Sequence, residues 1–261
     1  MIKFQKYEGA GNDFVMINNL DNSISLSSEE IIKICDRHLG IGADGVILLE
    51  ESDKADCFMN YYNSDGSLAE MCGNGARCTT DFFLKETNSE QKEIKLDTRA
   101  GTKEIKVNDD GTYSVNMGAP IFESNDFPSE SKNVEGFDFD FVSMGNPHAV
   151  TLVDSVDNID WKSVGSKVEV DNNFPNRINV EFIEKENDNE YKVKVWERGC
   201  GATLACGTGA CAAFSILDKE NNFDKEIILE FPGGKLYLSK NHEGHIILRG
   251  PATFVFSGEI I

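Results

Sequence analysis

The chain has 261 residues, of which 40% are hydrophobic and 27% charged, a balance typical of a globular protein. Its 25 basic side chains against 45 acidic ones leave a formal net charge of -20, which argues against a nucleic-acid partner because phosphate contacts need Lys and Arg. The first residues lack an apolar signal core, and the longest mostly apolar stretch, residues 210–217, is too short to cross a bilayer. We therefore expect a cytoplasmic protein with no membrane partner.

Apolar runs rich in β-branched and aromatic residues predict strands along the first half of the chain. These runs cover residues 14–17, 46–49, 57–62, 94–96, 105–107 and 113–115. A helix is predicted between the first two runs, where Ser27 can cap an acidic first turn and Gly40 supplies a stop. Its apolar stripe consists of Ile31, Ile34 and Cys35.

The pattern Cys-Gly-x-Gly-Ala occurs twice, at Cys72 and again 134 residues later at Cys206. The same offset aligns Gly11-Asn12 with Gly145-Asn146, and Tyr62-Asn63 with Trp196-Glu197. A second helix is predicted to begin at each copy, and the helix after Cys206 is apolar nearly all round, as in a buried helix. The two halves are therefore interpreted as copies of one ancestral module.

The predicted fold class is α/β, more narrowly α+β, with two pseudosymmetric domains from an internal duplication. Each domain is expected to wrap a mainly antiparallel sheet around a central helix. Gly118 and Pro120 end the strand pattern after Met117, and a matching break falls at Pro251. We expect an N-terminal domain of residues 1–117 plus 251–261 and a C-terminal domain of residues 118–250, with the short tail lying at a sheet edge.

The two repeated cysteines suggest proton transfer. A cysteine at a helix N-terminus lies beside unpaired N–H groups and the positive end of the helix dipole, both of which favour the thiolate. The neighbouring glycines let backbone N–H groups approach a carboxylate closely. Two such helix starts facing one substrate suit inversion at the α-carbon of an amino acid, in which a proton leaves one face and another arrives on the opposite face. We therefore predict Cys72 and Cys206 as the catalytic acid–base pair.

Cysteines also serve as buried structural residues, as zinc ligands or as redox groups. Free cysteines are commonly small buried hydrophobic residues, and Cys35, Cys57, Cys78 and Cys211 are interpreted in that way. The spacings around Cys72 and Cys206 are not those of the close pairs that form structural zinc sites, so no metal is expected. A thiol redox or binding protein that uses the same two activated thiols stays open, and it predicts no exchange of an α-proton.

Blocks of residues along nearly the whole chain resemble successive motifs of the diaminopimelate epimerases. They are Gly9-Ala10-Gly11-Asn12-Asp13-Phe14, Gly40-Ile41-Gly42-Ala43-Asp44-Gly45, Asn63-Ser64-Asp65-Gly66, Met71-Cys72-Gly73-Asn74-Gly75-Ala76-Arg77-Cys78, Met144-Gly145-Asn146-Pro147-His148, Arg177-Ile178-Asn179-Val180, Trp196-Glu197-Arg198-Gly199 and Ala205-Cys206-Gly207-Thr208-Gly209-Ala210-Cys211. The resemblance implies a two-domain fold, interconversion of LL- and meso-diaminopimelate without pyridoxal phosphate or any other cofactor, and a place in lysine and peptidoglycan precursor synthesis. It also implies a homodimer, for which residues 254–256 are a candidate surface.

The resemblance also assigns the groups that hold the substrate. Gly73 and Asn74 at one helix start, with Gly207 and Thr208 at the other, match positions that bind the reacting carboxylate. The distal end of the substrate is assigned to Asn12, Asn63, Asn146, Asn179, Glu197 and Arg198. His148 is similar to a histidine that the family keeps beside one cysteine, and with Glu197 it is expected to tune that thiol.

The nearest alternative is another cofactor-independent racemase of the same fold, acting on proline or hydroxyproline. Those enzymes typically carry His after the first Cys-Gly, where this chain has Asn74. They also have no need for a distal set such as Asn63, Asn179 and Arg198. The sequence therefore favours diaminopimelate, and a panel of substrates separates the two readings.

Overall fold

The computed structural model describes residues 1–260 and divides the chain into two compact units. Unit 1 comprises Met1–Val115 together with the C-terminal segment from Gly250, and unit 2 comprises Asn116–Arg249. Residue 261, the last of the predicted tail, lies outside the described residues. Among the described helices, none combines the length and apolar character needed to cross a bilayer.

Unit 1 combines a mainly antiparallel sheet with two helices. Its elements are β1 (Ile2–Gly9), β2 (Asn12–Asn18), α1 (Ser28–Cys35), β3 (Gly45–Glu50), β4 (Cys57–Asn63), α2 (Gly73–Thr87), β5 (Glu93–Asp97), β6 (Lys103–Val107), the start of β7 (Tyr113–Gly118) and, from the tail, β17 (Thr253–Ile260). Neighbouring strands pair antiparallel except β2 with β3 and β4 with β5, which are parallel. The tail strand β17 pairs with β1. The short C-terminal tail therefore lies against a sheet, as the sequence predicted.

Unit 2 repeats this arrangement. Its elements are β8 (Lys132–Val134), β9 (Phe137–Ser143), β10 (Pro147–Val153), α3 (Trp161–Glu169), β11 (Asn179–Lys185), β12 (Glu190–Glu197), β13 (Gly201–Ala202), α4 (Gly207–Asn221), β14 (Ile227–Phe231), β15 (Gly234–Lys240) and β16 (Ile246–Gly250). The pairs β10 with β11 and β12 with β14 are parallel, and the other pairs are antiparallel. Each unit thus has a parallel pair next to the helix that begins at a repeated cysteine.

The register of these parallel pairs repeats along the chain. In unit 1 Phe14 pairs with Gly45, and in unit 2 His148 pairs with Asn179, so both partners are displaced by the same 134 residues. The helices α2 and α4 begin and end at the same offset. Residues at equivalent positions of the two units therefore occupy equivalent places in the two sheets.

The two long helices supply much of each core. The buried part of α2 runs from Gly73 to Phe83, and in α4 every residue from Gly209 to Leu217 is buried. The apolar faces of the sheets contribute buried side chains such as Val15, Ile17 and Val46 in unit 1. Burial of this kind fixes both helix starts on rigid elements, because an apolar side chain gains roughly 2 kcal/mol when it is fully removed from water.

The first helix differs from the prediction at its C-terminal end. Ser27 caps α1 and forms a capping box with Glu30, as expected, but the helix ends at Cys35 rather than at Gly40. The carboxylate of Asp36 accepts the backbone N–H groups of His38 and Leu39, which turns the chain out of the helix. Gly40 instead lies in the following turn, where its N–H donates to the carbonyl of Asp36.

Candidate active site

Both repeated cysteines are N-caps, the residues that precede the first turn of α2 and α4. The Sγ of Cys72 accepts the N–H of Gly75 at 3.4 Å, and the Sγ of Cys206 accepts the N–H of Gly209 at 3.3 Å. Sulfur thus takes the place of the oxygen of a Ser or Asp cap. The sequence prediction that each cysteine begins a helix is confirmed, and the position places each sulfur beside the free N–H groups of a helix start.

In unit 1, Asn12 lies at the start of β2 and contacts the first cysteine. The Cys72 thiol donates to Asn12 Oδ1 at 3.4 Å, while Asn12 Nδ2 donates to Asp44 Oδ2 at 2.7 Å. Because a carboxylate only accepts hydrogen bonds, Asp44 fixes the amide so that its oxygen faces the sulfur. Asp44 was not among the predicted site residues, although it lies in one of the motifs that carry the family resemblance.

A cluster of charges holds Asp44 in turn. Arg37 bridges Asp44 and Asp13, with nitrogen to oxygen distances of 2.7 and 2.8 Å, and the buried Lys6 contacts Asp13 at 2.6 Å. Burial alone would raise the pKa of Asp13, but the hydrogen bonds from Arg37 and Lys6 lower it to about 2. Asp13 therefore stays ionised near neutral pH and helps to hold Arg37 against Asp44, the acceptor that orients Asn12.

The first turn of α2 carries two further predicted residues, Gly73 and Asn74. Both are buried, and Asn74 Oδ1 accepts from Arg77 Nη2 at 2.9 Å. The Nδ2 of Asn74 has no hydrogen-bond partner among the described residues. Asn63, at the end of β4, donates to Ser67 at 3.0 Å within its own turn. The structure thus brings Asn12, Gly73 and Asn74 to the Cys72 helix start.

In unit 2, a chain of side chains leads to the second cysteine. Thr208 Oγ1 lies 3.4 Å from Cys206 Sγ and accepts from Asn146 Nδ2 at 3.3 Å. Asn146 Oδ1 is hydrogen-bonded to His148 Nε2 at 3.0 Å. The predicted residues Asn146, His148 and Thr208 therefore form one connected group beside Cys206.

The remaining predicted residues of unit 2 lie at the adjoining strand ends. Glu197, at the end of β12, accepts from the Thr203 hydroxyl, and its charge acts on Cys206. Asn179, at the start of β11, accepts the backbone N–H of Arg198 at 2.9 Å and donates to the carbonyl of Pro147 at 2.8 Å. Arg198 Nη1 donates to the carbonyl of Asn176 at 3.2 Å.

The electrostatics of Cys206 differ from the expectation of a simple helix-start thiolate. Burial raises the pKa of Cys206 well above its usual value, and the negative charges of Glu197 and Glu181 raise it further. The bonds from Thr208 and Gly209 act in the opposite direction but are weaker. Glu197 was expected to tune this thiol, whereas Glu181 was not among the predicted residues. Burial and the two carboxylates together favour the thiol form of Cys206.

The residues packed against the two helix starts differ between the units. A methyl group added to Gly75 would meet Ile47 Cδ1 at 3.1 Å and Phe14 Cζ at 3.5 Å, whereas one added to Gly209 would meet Glu181 Oε1 at 2.5 Å. Glu181 occupies the position of Ile47 in the repeat, and His148 occupies that of Phe14. We call Phe14 with Ile47, and His148 with Glu181, the floor pairs of the two units.

We expect Gly209→Ala to destabilise the protein more than Gly75→Ala. The new methyl group at position 209 would meet a buried carboxylate oxygen at 2.5 Å, while at position 75 it would meet the tip of a flexible side chain. Overpacking of this kind costs about 1 to 3 kcal/mol. Urea unfolding of both variants measures the difference, and equal stabilities would contradict the described packing of α4 on Glu181.

The other cysteines lie in the surroundings expected of structural residues. Cys35, Cys57, Cys78 and Cys211 are buried, and burial raises the pKa of Cys35 to about 11 and that of Cys57 to about 12. Cys200 is exposed. Among residues 1–260, no three His, Cys, Asp or Glu side chains converge closely enough to hold a metal ion.

Comparison with known proteins gives one consistent result. A family model described as diaminopimelate epimerase matches residues 4–123 and 141–255. A diaminopimelate epimerase from Prochlorococcus marinus (strain NATL1A) is 42% identical over an alignment of 280 positions, gaps included, that covers 98% of each chain.

Solved structures agree in fold over the full length of this chain. A phenazine biosynthesis protein of the PhzF family from Bacillus anthracis has a TM-score of 0.72 at 21% identity and is covered to 99%, and a probable proline racemase from Agrobacterium radiobacter K84 has 0.71 at 13% identity and is covered to 93%. The predicted fold class is thereby confirmed.

Proposed function

The chain belongs to the diaminopimelate epimerase family, and we propose that it performs the family's reaction with Cys72 and Cys206 as its acid–base pair. It is an isomerase that interconverts LL- and meso-diaminopimelate, a step that leads to lysine and to peptidoglycan precursors. The substrate assignment is carried by one observation, the 42% identity to a diaminopimelate epimerase over nearly the whole chain. The catalytic assignment is supported by the equivalent N-cap positions of the two cysteines.

The proposed mechanism uses two bases and no cofactor. One cysteine, as the thiolate, removes the α-proton from one face of the substrate carbon, and the other, as the thiol, delivers a proton to the opposite face. The charge that develops at the carbon spreads onto the substrate carboxylate. Backbone N–H groups at a helix start hold such a charge more tightly in the transition state than in the ground state, which is what lowers the barrier.

The surroundings of Cys206 suggest which of the two cysteines holds a proton before the reaction. Burial and the charges of Glu197 and Glu181 favour the thiol form of Cys206, so we propose that Cys206 holds its proton in the free protein. Cys72, whose thiol donates to Asn12 in this structure, loses its proton before it acts as the first base. The Glu197 carboxylate, whose charge acts on this thiol, would take part in handing the proton on. In the opposite direction of the reaction the two cysteines exchange roles.

The substrate also carries a second amino acid centre, which we propose is held by Asn63, Asn179 and Arg198, with Asn12 and Asn146 beside the two thiols. A guanidinium suits a carboxylate, and amide groups donate and accept. A site that hydrogen-bonds such groups rejects shorter amino acids, because its buried polar groups would be left unpaired.

A substrate panel tests the proposed function. The reduced protein is incubated separately with LL-diaminopimelate, proline and trans-hydroxyproline, and the stereoisomers are quantified by chiral chromatography. We expect conversion of LL- to meso-diaminopimelate and no inversion of the two cyclic amino acids. Turnover of proline without turnover of diaminopimelate would assign the chain to the racemases that share its fold, and no inversion at all would favour a thiol redox or binding role.

We further propose that the protein is a cytoplasmic homodimer whose units correspond to domains of residues 1–117 plus 251–261 and 118–250. The seven cysteines, an odd number with no complete pairing, suit a reducing compartment. Phe254, Val255 and Phe256 on β17 are each about half exposed, and large exposed apolar groups in a row favour a second copy as partner. Sedimentation equilibrium is expected to give a dimer mass for the wild type and a monomer mass for Val255→Lys; a monomeric wild type would overturn the dimer.

A further inference from the structure

The two cysteines are equivalent in the repeat, but the floor pairs packed against their helices are chemically opposite. In unit 1 the pair is Phe14 and Ile47, both apolar and fully buried. In unit 2 the pair is His148 and Glu181, whose side chains are each 0% exposed. Unit 1 has the same local fold with apolar residues at these positions, so the fold itself does not need the polar pair. Burying an ionisable pair also costs several kcal/mol of desolvation, which apolar residues avoid.

Glu181 belongs to a chain of contacts that ends at the second cysteine. Its Oε1 accepts from His148 Nδ1 at 2.8 Å, and His148 Nε2 is hydrogen-bonded to Asn146 Oδ1 at 3.0 Å. Asn146 then donates to Thr208, whose hydroxyl lies 3.4 Å from Cys206 Sγ. Because a carboxylate only accepts, His148 Nδ1 donates to Glu181, and this bond holds the ring with Nε2 toward Asn146.

The second oxygen of Glu181 strengthens the case for a role beyond packing. Glu181 Oε2 is buried and has no hydrogen-bond partner among the described residues, a state that a purely structural carboxylate would avoid. The position of Oε1 next to Gly209 places the carboxylate against the first turn of α4, the turn that Cys206 caps.

We propose, building on the proposed function, that Glu181 is a positioning residue of the epimerisation site. It holds His148, and through it Asn146 and Thr208, in place beside the Cys206 thiol, and its charge makes the two otherwise equivalent cysteines unequal. A two-base epimerase gains from this inequality, because one cysteine must hold a proton while the other lacks one. The duplication supplied two equal thiols, and the polar floor pair of unit 2 distinguishes them.

The direction of the effect follows from the groups that face Cys206. They are Glu197 from β12, Glu181 from β11 and His148 from β10. The negative charge of Glu181 favours the thiol form of Cys206. Replacing it with a neutral amide removes that charge, so the thiolate of Cys206 should form at lower pH, while Cys72 in unit 1 should be unaffected.

The test compares Glu181→Gln with the wild type in two measurements. The first is the pH profile of alkylation by iodoacetamide, resolved by mass spectrometry into the peptides of Cys72 and Cys206. The second is kcat and KM for LL-diaminopimelate. We expect the midpoint for Cys206 to move to lower pH with that of Cys72 unchanged, and kcat to fall about tenfold or more with KM changed by less than about threefold, as for other residues that orient an active group.

Two further variants serve as control and as safeguard. Glu184→Gln removes a carboxylate from the same strand, β11, where it accepts the backbone N–H of Val156, and it should leave both profiles and kcat unchanged. The double variant His148→Phe with Glu181→Ile installs the floor pair of unit 1, which avoids an unpaired buried group if the single variant does not fold, and it should also lower the Cys206 midpoint.

The outcomes separate this inference from the function on which it rests. A wild type that does not interconvert the epimers overturns the proposed function. An active wild type together with a Cys206 midpoint that is unmoved, raised, or shifted equally with that of Cys72 in the variants overturns the role of Glu181 alone. A lowered Cys206 midpoint with an unchanged Cys72 supports it.

Discussion

Cys72→Ala and Cys206→Ala are each expected to abolish the interconversion of LL- and meso-diaminopimelate, with a loss of about a thousandfold or more. The reason is that inversion needs both a base and an acid, and a positioned group of either kind contributes about 10²- to 10⁴-fold. Neither cysteine can replace the other if they serve opposite faces of the carbon. Initial rates from each epimer, measured by chiral chromatography, give the loss.

The two variants should also differ in a complementary way. In deuterated water, the cysteine that remains is expected to exchange the α-proton of only one epimer without inverting it, and the other variant should exchange the other epimer. Cys211→Ala is the matched control, because this buried thiol lies in α4 without capping a helix, and it should keep its activity. Inversion at near wild-type rate in either Cys72→Ala or Cys206→Ala would contradict a two-cysteine mechanism.

Arg77→Ala is expected to lower the free energy of unfolding by about 3 kcal/mol or more, through lost hydrogen bonds and the cavity that remains. The guanidinium is fully buried in unit 1 and donates from Nε to the carbonyl of Pro251 at 2.9 Å and from Nη2 to Asn74 at 2.9 Å. It therefore joins the start of α2 to the C-terminal segment. Urea unfolding measures the loss.

The geometry of Arg77 makes a sharper comparison possible. Arg77→Lys keeps the charge but loses the planar fork that reaches several acceptors at once, so it should recover only part of the stability. Lys92→Ala, which removes an exposed cation paired with an exposed Asp109, should cost less than about 0.5 kcal/mol. If Arg77→Ala were as stable as Lys92→Ala, the buried guanidinium would not be what holds the start of α2.

Much of the fold could be predicted because the repeat and the local signals agree. The two Cys-Gly patterns located the starts of α2 and α4, and alternating apolar runs located the strands. The predicted end of α1 was wrong, because the helix ends before Gly40, where the side chain of Asp36 accepts the next backbone N–H groups. A side chain that captures nearby N–H groups competes with helix formation in a way that a search for glycine does not detect.

In the site, too, residues of a local motif could be predicted, and residues that act through distant parts of the chain could not. Cys72, Cys206 and their neighbours at the helix starts follow from a motif, whereas Asp44 and Glu181 act through partners that lie far away in the sequence. A signal for Glu181 did exist, because it interrupts an apolar strand at the repeat position of Ile47. The direction in which the pKa of Cys206 is shifted could not be predicted, because it depends on burial and on Glu181, which another strand brings to α4.

The central claim, that two cysteines invert one carbon, is tested most directly by the isotope content of the first product. The wild type is incubated with LL-diaminopimelate in deuterated water, and deuterium at the α-carbons of substrate and product is followed by NMR during the first turnovers. Two bases on opposite faces predict meso product that carries deuterium at the inverted centre, while the remaining LL substrate stays protiated. Meso product that keeps its original proton, or deuterium that enters LL substrate as fast as product forms, would contradict the account.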